Sequence, residues 1–189
     1  MAKLYELDLS STPGQERVRD IFLIGAWTGW FGDLPQVNKE NIEGGMIHIT
    51  QHKTGNKVWI PMYPMVKAIL EKYDFEIPAI ITNQKFNEAL KLIAKKAKIN
   101  APFHKRITKG GKTISTKFEK WQLVTSHSAR RSFATNLYKS GFPSISIMQI
   151  TGHKTEAAFL KYIKVTPEEH AKLLQMHWEK NSEHLRVVS

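Results

Sequence analysis

The sequence contains no cysteine. That excludes disulfides, thiol nucleophiles and cysteine-ligated zinc, and it fits a reducing compartment. No apolar run is long enough to cross a bilayer: "IFLIGAWTGW" falls well short of the roughly 20 residues a spanning helix needs and reads as a buried helix. The start, "MAKLYELDLSS", lacks the charged opening and apolar stretch of a secretion signal. The expectation is a soluble, intracellular, cytoplasmic protein. Acidic residues are scarce, 17 Asp and Glu against 28 Lys and Arg, which leaves a formal net charge of +11. Such an excess favours a polyanionic partner, most simply nucleic acid. A basic surface that only aids solubility is the plainer alternative, and an anionic membrane surface is a weaker third.

What is present suits one domain. With 189 residues and a hydrophobic fraction of 41%, the chain can bury its own core. It shows no internal repeat. Residues 1–14 read as a linker or tail ending in "SSTPGQ", and 15–189 as the folded domain. A helix is expected from Gln15 through "ERVRDIFLIGAW", because Val18, Ile21, Phe22 and Gly25 recur at helical spacing. "GGMIHITQHKTGNKVWIPM" reads as a β-hairpin: Ile47 and Ile49 alternate with His48 and Thr50, "TGN" turns the chain, and Val58 and Ile60 alternate on the return. Pro64 opens a helix at a position that tolerates proline. "NQKFNEALKLIAKKAKI" is amphipathic, with Phe86, Leu90, Ile93 and Ala97 on one face and Lys91, Lys95 and Lys98 towards the other. The lysine-rich "HKRITKGGKTISTKFEKWQLVTS" reads as a mobile hairpin or loop able to face a polyanion. From His127 onward the chain reads as helical, interrupted at "SGFPS" and "TGHKT". The last helix opens on a capping box, with Thr166 as N-cap, Pro167 in the first turn and Glu169 completing the box.

Few residues invite chemistry. His127 and Arg130, spaced i, i+3 in "HSARRSFATNLY", share a helix face. A guanidinium can grip phosphodiester oxygens in a fork, and an imidazole can move a proton near neutral pH. By themselves, a histidine and an arginine at a helix start are more often capping and surface residues. Arg131, next to Arg130, is expected to point away from that face. His153 follows Gly152, whose place suits a helix C-terminus. On spacing alone, Tyr162 in "FLKYIKV" reads as a core tyrosine, and Lys53 in "HKTG" as a turn lysine. His48 and His52 lie in a segment read as strand, where their spacing separates them and no carboxylate cluster joins them. That disfavours a metal hydrolase.

Taken in order, "HSARRSFATNLYKSG", "ITGH" and "FLKYIKV" resemble the His-x-x-Arg, Gly-His and Tyr boxes of the catalytic domain of tyrosine recombinases, the phage-integrase family. The resemblance covers nearly the whole chain and is greatest to integrases of Bacteroides-type mobile elements. It implies an α+β, mainly helical fold with a small antiparallel β-sheet. It also implies a DNA strand transferase that uses no cofactor, metal or nucleotide. Tyr162 would attack the scissile phosphate and form a 3′-phosphotyrosine, and Arg130 would bind the non-bridging oxygens. His127 would assist proton transfer at the tyrosine, His153 would hydrogen-bond the phosphate, and Lys53 would protonate the departing 5′-oxygen. The implied partners are double-stranded DNA and further copies of the chain assembled on it, with the last helix and "NSEHLRVVS" docking on a neighbour. The resemblance further implies that the N-terminal core-binding domain of the family is absent from this chain.

The resemblance departs at "TGWFGDLPQV". Thr28, Gly29, Asp33 and Leu34 match the family's Thr-Gly-x-Arg-x-Ser-Asp/Glu-Leu box, but no arginine lies between them and the segment is one residue shorter. None of Arg17, Arg19, Arg106, Arg130, Arg131 and Arg186 occupies that box. Three activities therefore stand as expectations: a site-specific strand exchanger, a DNA-binding module of the same fold that no longer cuts, and a topoisomerase-like nickase without synapsis.

Overall fold

A computed structural model of the chain describes residues 1–30, 34, 37–50, 55, 57–110, 112–163 and 165–181. The helices among them are α1 (Ala2–Tyr5), α2 (Pro13–Thr28), α3 (Pro64–Lys72), α4 (Asn83–Lys96), α5 (Lys120–Leu123), α6 (Ser126–Lys139), α7 (Ser144–Thr151), α8 (Glu156–Tyr162) and α9 (Pro167–Asn181). The strands are β1 (Ile42–Glu43), β2 (Met46–Thr50), β3 (Lys57–Pro61), β4 (Pro102–Lys109) and β5 (Lys112–Glu119). No helix among the described residues is long and apolar enough to cross a membrane.

Helix α2 is the axis of the domain. Val18 through Ala26 are all buried, as expected of a helix surrounded by others rather than one with a solvent face. It starts at Pro13, two residues before the expected start, because proline is well suited to the first turn. Residues 1–14, expected as linker or tail, lie against this axis. Leu4 and Leu9 are buried in the core, and Arg19 donates to the carbonyl oxygens of Leu7 (2.6 Å) and Tyr5 (3.4 Å). The buried Asp20 accepts from Arg19 Nε (2.8 Å), Lys72 Nζ (3.0 Å) and the Tyr73 hydroxyl (2.8 Å), which ties α3 to α2. Burial first, and then donation to the Asp20 carboxylate, push the Tyr73 phenol up to about 12.

The strands of the first hairpin form as their pattern predicts, and the lysine-rich stretch, expected as a mobile hairpin or loop, is a hairpin. In the antiparallel sheet β1-β2-β3, Ile47 pairs with Ile60 and Ile49 with Val58, and all four are buried. His48 and Trp59 pair on the opposite face. Residues 51–54, which include Lys53 and His52, lie outside the described residues. Strands β4 and β5 form a separate two-stranded hairpin from Pro102↔Glu119 to Lys109↔Lys112. On α4, Phe86, Leu90 and Ile93 are buried in the main core, as their spacing predicts.

Gly29 caps α2 in the left-handed region at φ +75°. A Cβ there would stand 2.6 Å from Phe133 Cδ1 of α6, so the absent side chain lets α2 and α6 approach. Gly29→Ala is expected to destabilise the chain by about 1–3 kcal/mol from backbone strain alone, with the Phe133 clash added. Thermal unfolding beside the unaltered chain checks this, and an unchanged Tm would contradict it.

Candidate active site

Helix α6 begins with Thr125 and Ser128 closing a capping box, and Ser126 is tied to α4 through Asn83 and Asn87. A second apolar cluster of Ala134, Ile147, Phe159 and Ile163 fastens α7 and α8 onto α6, with Tyr162 packed at its edge. That cluster brings together side chains far apart in sequence. The Tyr162 ring meets His127 edge-on at 5.2 Å between centroids and His153 at 4.9 Å. Its hydroxyl has a long 3.5 Å bond to the His127 carbonyl oxygen.

Arg131 corrects the face expected for it. Its guanidinium carbon lies over the Tyr162 ring, 5.4 Å from the centroid. The reason is helical arithmetic: Arg131 is i+4 from His127 and Arg130 is i+3, so the two arginines flank the direction of His127 instead of opposing each other. The i, i+4 relation was there to be read in the sequence; adjacency to Arg130 concealed it.

His153 is held by its neighbours in the chain. Gly152 takes the left-handed conformation (φ +66°), and the His153 backbone N–H donates to Met148 O at 3.0 Å, closing the end of α7. Its Nδ1 lies 2.7 Å from Thr151 Oγ1. Thr151 is itself buried and donates to Ile147 O at 2.6 Å. Sequence reasoning passed over Thr151, although a hydroxyl inside the apolar run "ISIMQIT" was a visible signal.

The electrostatics suit an anion. Burial raises the Tyr162 phenol above its ordinary value, and the charges of Arg130 and Arg131 oppose that rise. Burial lowers His153, helped by the positive fields of Arg130 and His127. A phosphate entering between these groups would meet the positive charges of Arg130 and Arg131 and would favour a charged imidazole. Of the five residues singled out for chemistry, Tyr162, His127 and His153 are in ring contact here, and the charge of Arg130 acts on Tyr162 and His153. Lys53 lies outside the described residues, as do residues 31–33 of the box without an arginine.

The phage integrase family model matches residues 31–169. No curated protein matches the chain. Among solved structures the chain is similar to XerA recombinase, at 18% identity and TM-score 0.63, over 98% of this chain and 62% of that one. It is similar to XerH site-specific recombinase bound to a palindromic difH substrate, at 14% identity and TM-score 0.62, over 94% of this chain and 49% of that one. It is also similar to residues 75–356 of lambda integrase, a dimer bound to a COC′ core site, at 18% identity and TM-score 0.56, over 86% and 56%. At these identities the likeness shows the fold, a mainly helical one with small antiparallel sheets. The chain spans less than two thirds of the length of each of these three relatives.

Proposed function

The chain belongs to the phage integrase family, and from that premise we propose that it is the catalytic domain of a site-specific recombinase or integrase that cleaves and rejoins double-stranded DNA through a 3′-phosphotyrosine at Tyr162. The observation that carries this reading is the setting of one half-buried phenol between two imidazoles and in the field of two guanidiniums. A core tyrosine needs none of those neighbours; a nucleophile at a phosphodiester needs an acceptor for its proton and positive charge for the transition state.

Arg130 holds the non-bridging oxygens and stabilises the five-coordinate transition state. Lys53, assigned through the family's hairpin lysine, protonates the departing 5′-oxygen. The covalent phosphotyrosine retains the energy of the broken bond, so religation requires no nucleotide. The XerH and lambda integrase structures contain DNA, and the latter is a dimer. Here too the partners are double-stranded DNA and further copies of the chain.

Arg131 supplies the second guanidinium that residues 28–34 lack. Arg131→Ala is expected to slow covalent capture of DNA roughly tenfold to a hundredfold, less than loss of a fully enclosed donor because an exposed charge is screened. Arg131→Lys is expected to recover part of the loss, read from the rate of adduct formation on a gel. Equal rates for Arg131→Ala and the unaltered chain would remove Arg131 from the mechanism.

The absence of an arginine at 28–34 favours a second reading, a DNA-binding module that no longer cuts. A pool of nicked duplexes randomised around the nick separates the two. Covalent capture on denaturing gels supports the recombinase, and binding without capture supports the module.

A further inference from the structure

We propose that the ribbon β4–β5 is a DNA-binding arm, and that its side bearing His104, Thr108, Ser115 and Lys117 lies along the phosphates of a duplex seated at the candidate site. That this duplex is cut at Tyr162 rests on the recombinase reading; the arm needs only that the chain binds DNA.

The register defines two unlike sides. Opposed residues share a side, and successive pairs alternate. His104↔Lys117, Arg106↔Ser115 and Thr108↔Thr113 fall on one side. Phe103↔Phe118, Lys105↔Thr116 and Ile107↔Ile114 fall on the other. The first side holds only hydrogen-bonding residue types, and His104, Thr108, Ser115 and Lys117 on it are exposed. The second holds the apolar residues, and there Phe118 is half-buried at the root.

Charge selects the partner. Residues 103–118 contain Lys105, Arg106, Lys109, Lys112 and Lys117 and no Asp or Glu, a charge of +5 in a chain of net +11. A surface that serves solubility alone mixes both signs. Among the described residues β4 and β5 pair only with each other, and a lone two-stranded ribbon is marginal in water. Lys109 stands opposite Lys112 at the tip, and like charges in opposed positions weaken a ribbon further. A polyanion relieves that repulsion. A second copy of the chain brings the same +11 and does not. The open side offers no apolar residue to insert into a bilayer, whereas the major groove of a duplex admits a two-stranded ribbon.

The root brings the arm to the DNA. The Lys120 N–H donates to Ala101 O and the Trp121 N–H to Ile99 O, both at 3.0 Å, and Lys95 lies over the Trp121 ring. These contacts fasten the root beside the end of α4. Helix α5 then leads into α6, whose first turn carries His127. From Lys120 to His127 the chain spans at most about 25 Å, the length of about seven base pairs. Strands of eight residues add about 27 Å of reach. The arm therefore adds affinity on DNA flanking the reacting phosphate and takes no part in bond making.

The test places one acidic charge on each side of β5. Ser115→Glu and Ile114→Glu alter neighbouring exposed positions and change the net charge equally. Anisotropy measures binding of the full chain to a labelled duplex pool of random sequence over a range of salt. Ser115→Glu is expected to weaken binding about tenfold near ~0.1 M salt, and Ile114→Glu by less than about twofold. Lys117→Gln should lower the slope of log K against log salt by about 0.9, the share of one phosphate contact. Amide exchange over residues 103–118 should slow at least about tenfold when the duplex is added to the unaltered chain. Adduct formation with saturating nicked duplex should keep the unaltered rate in all three variants. Equal weakening by the two glutamates overturns the arm, because net charge alone then counts. An unchanged salt slope in Lys117→Gln, or amide exchange indifferent to DNA, overturns it too. A change in molecular mass by light scattering with unchanged DNA binding makes the ribbon a contact between copies and overturns it as well. Binding that Ser115→Glu weakens, with no adduct from the unaltered chain, overturns the recombinase reading and leaves the arm standing.

Discussion

Tyr162→Phe is expected to abolish covalent capture of DNA and leave folding and binding nearly intact. The change removes one oxygen. The ring stays where it is, because its packing against the cluster of Ala134, Ile147, Phe159 and Ile163, its edge contact with His127 and its place under Arg131 are properties of the ring. The hydroxyl has one long 3.5 Å bond to a carbonyl, so its loss costs at most the ~1 kcal/mol of an ordinary hydrogen bond. The chemistry loses its nucleophile altogether. The check pairs adduct formation with a filter-binding or anisotropy measurement: the first should vanish and the second hold. A second tyrosine capturing DNA at the unaltered rate would contradict the assignment.

Arg130→Ala is expected to reduce adduct formation by roughly 10²–10³, the cost of one donor aimed at developing charge. It acts on three groups together. The phosphate loses its grip. The Tyr162 phenol, already raised by burial, loses one of the two charges that oppose that rise. His153 loses one of the positive fields that hold it down, so it protonates more readily. The first two changes oppose attack by the phenol oxygen, and they outweigh the third, which makes the imidazole more basic. Arg130→Lys keeps the charge and loses the fork, so it should fall between. Single-turnover rates on the nicked duplexes measure this, and an Arg130→Ala rate within a few fold of the unaltered chain would contradict it.

Much of this molecule was legible because local chemistry and global packing agree. Phe86, Leu90 and Ile93 mark the buried face of α4, and Ile47, Ile49, Val58 and Ile60 mark the inner face of a hairpin. At the last helix the Thr166 hydroxyl accepts from the Glu169 N–H, and the Glu169 carboxylate accepts from the Thr166 N–H, as the capping box predicts. The order of three boxes carried the functional reading, since each alone is common chemistry.

What stayed hidden is long-range. No local pattern announces that Leu4 and Leu9 are buried: α1 is one turn, too short for periodicity, and it is held by Arg19 reaching back to backbone carbonyls. The approach of His153 to Tyr162 depends on the cluster between α6, α7 and α8, which spacing does not encode. Arg131 was misread for a simpler reason: its adjacency to Arg130 was weighed and its i+4 relation to His127 was not. Thr151 stood out as a hydroxyl in an apolar run, but its place between Ile147 O and His153 Nδ1 depends on how α7 ends, which the run does not announce.

The central claim is that the phenol of Tyr162 becomes bonded to phosphorus. Peptide mapping by mass spectrometry of the trapped DNA adduct, digested by nuclease and protease, tests it most directly. The account predicts a single modified peptide carrying a 3′-linked nucleotide on Tyr162, absent from Tyr162→Phe. A nucleotide on any other side chain, or tight binding to the same DNA with no modified peptide, would contradict it.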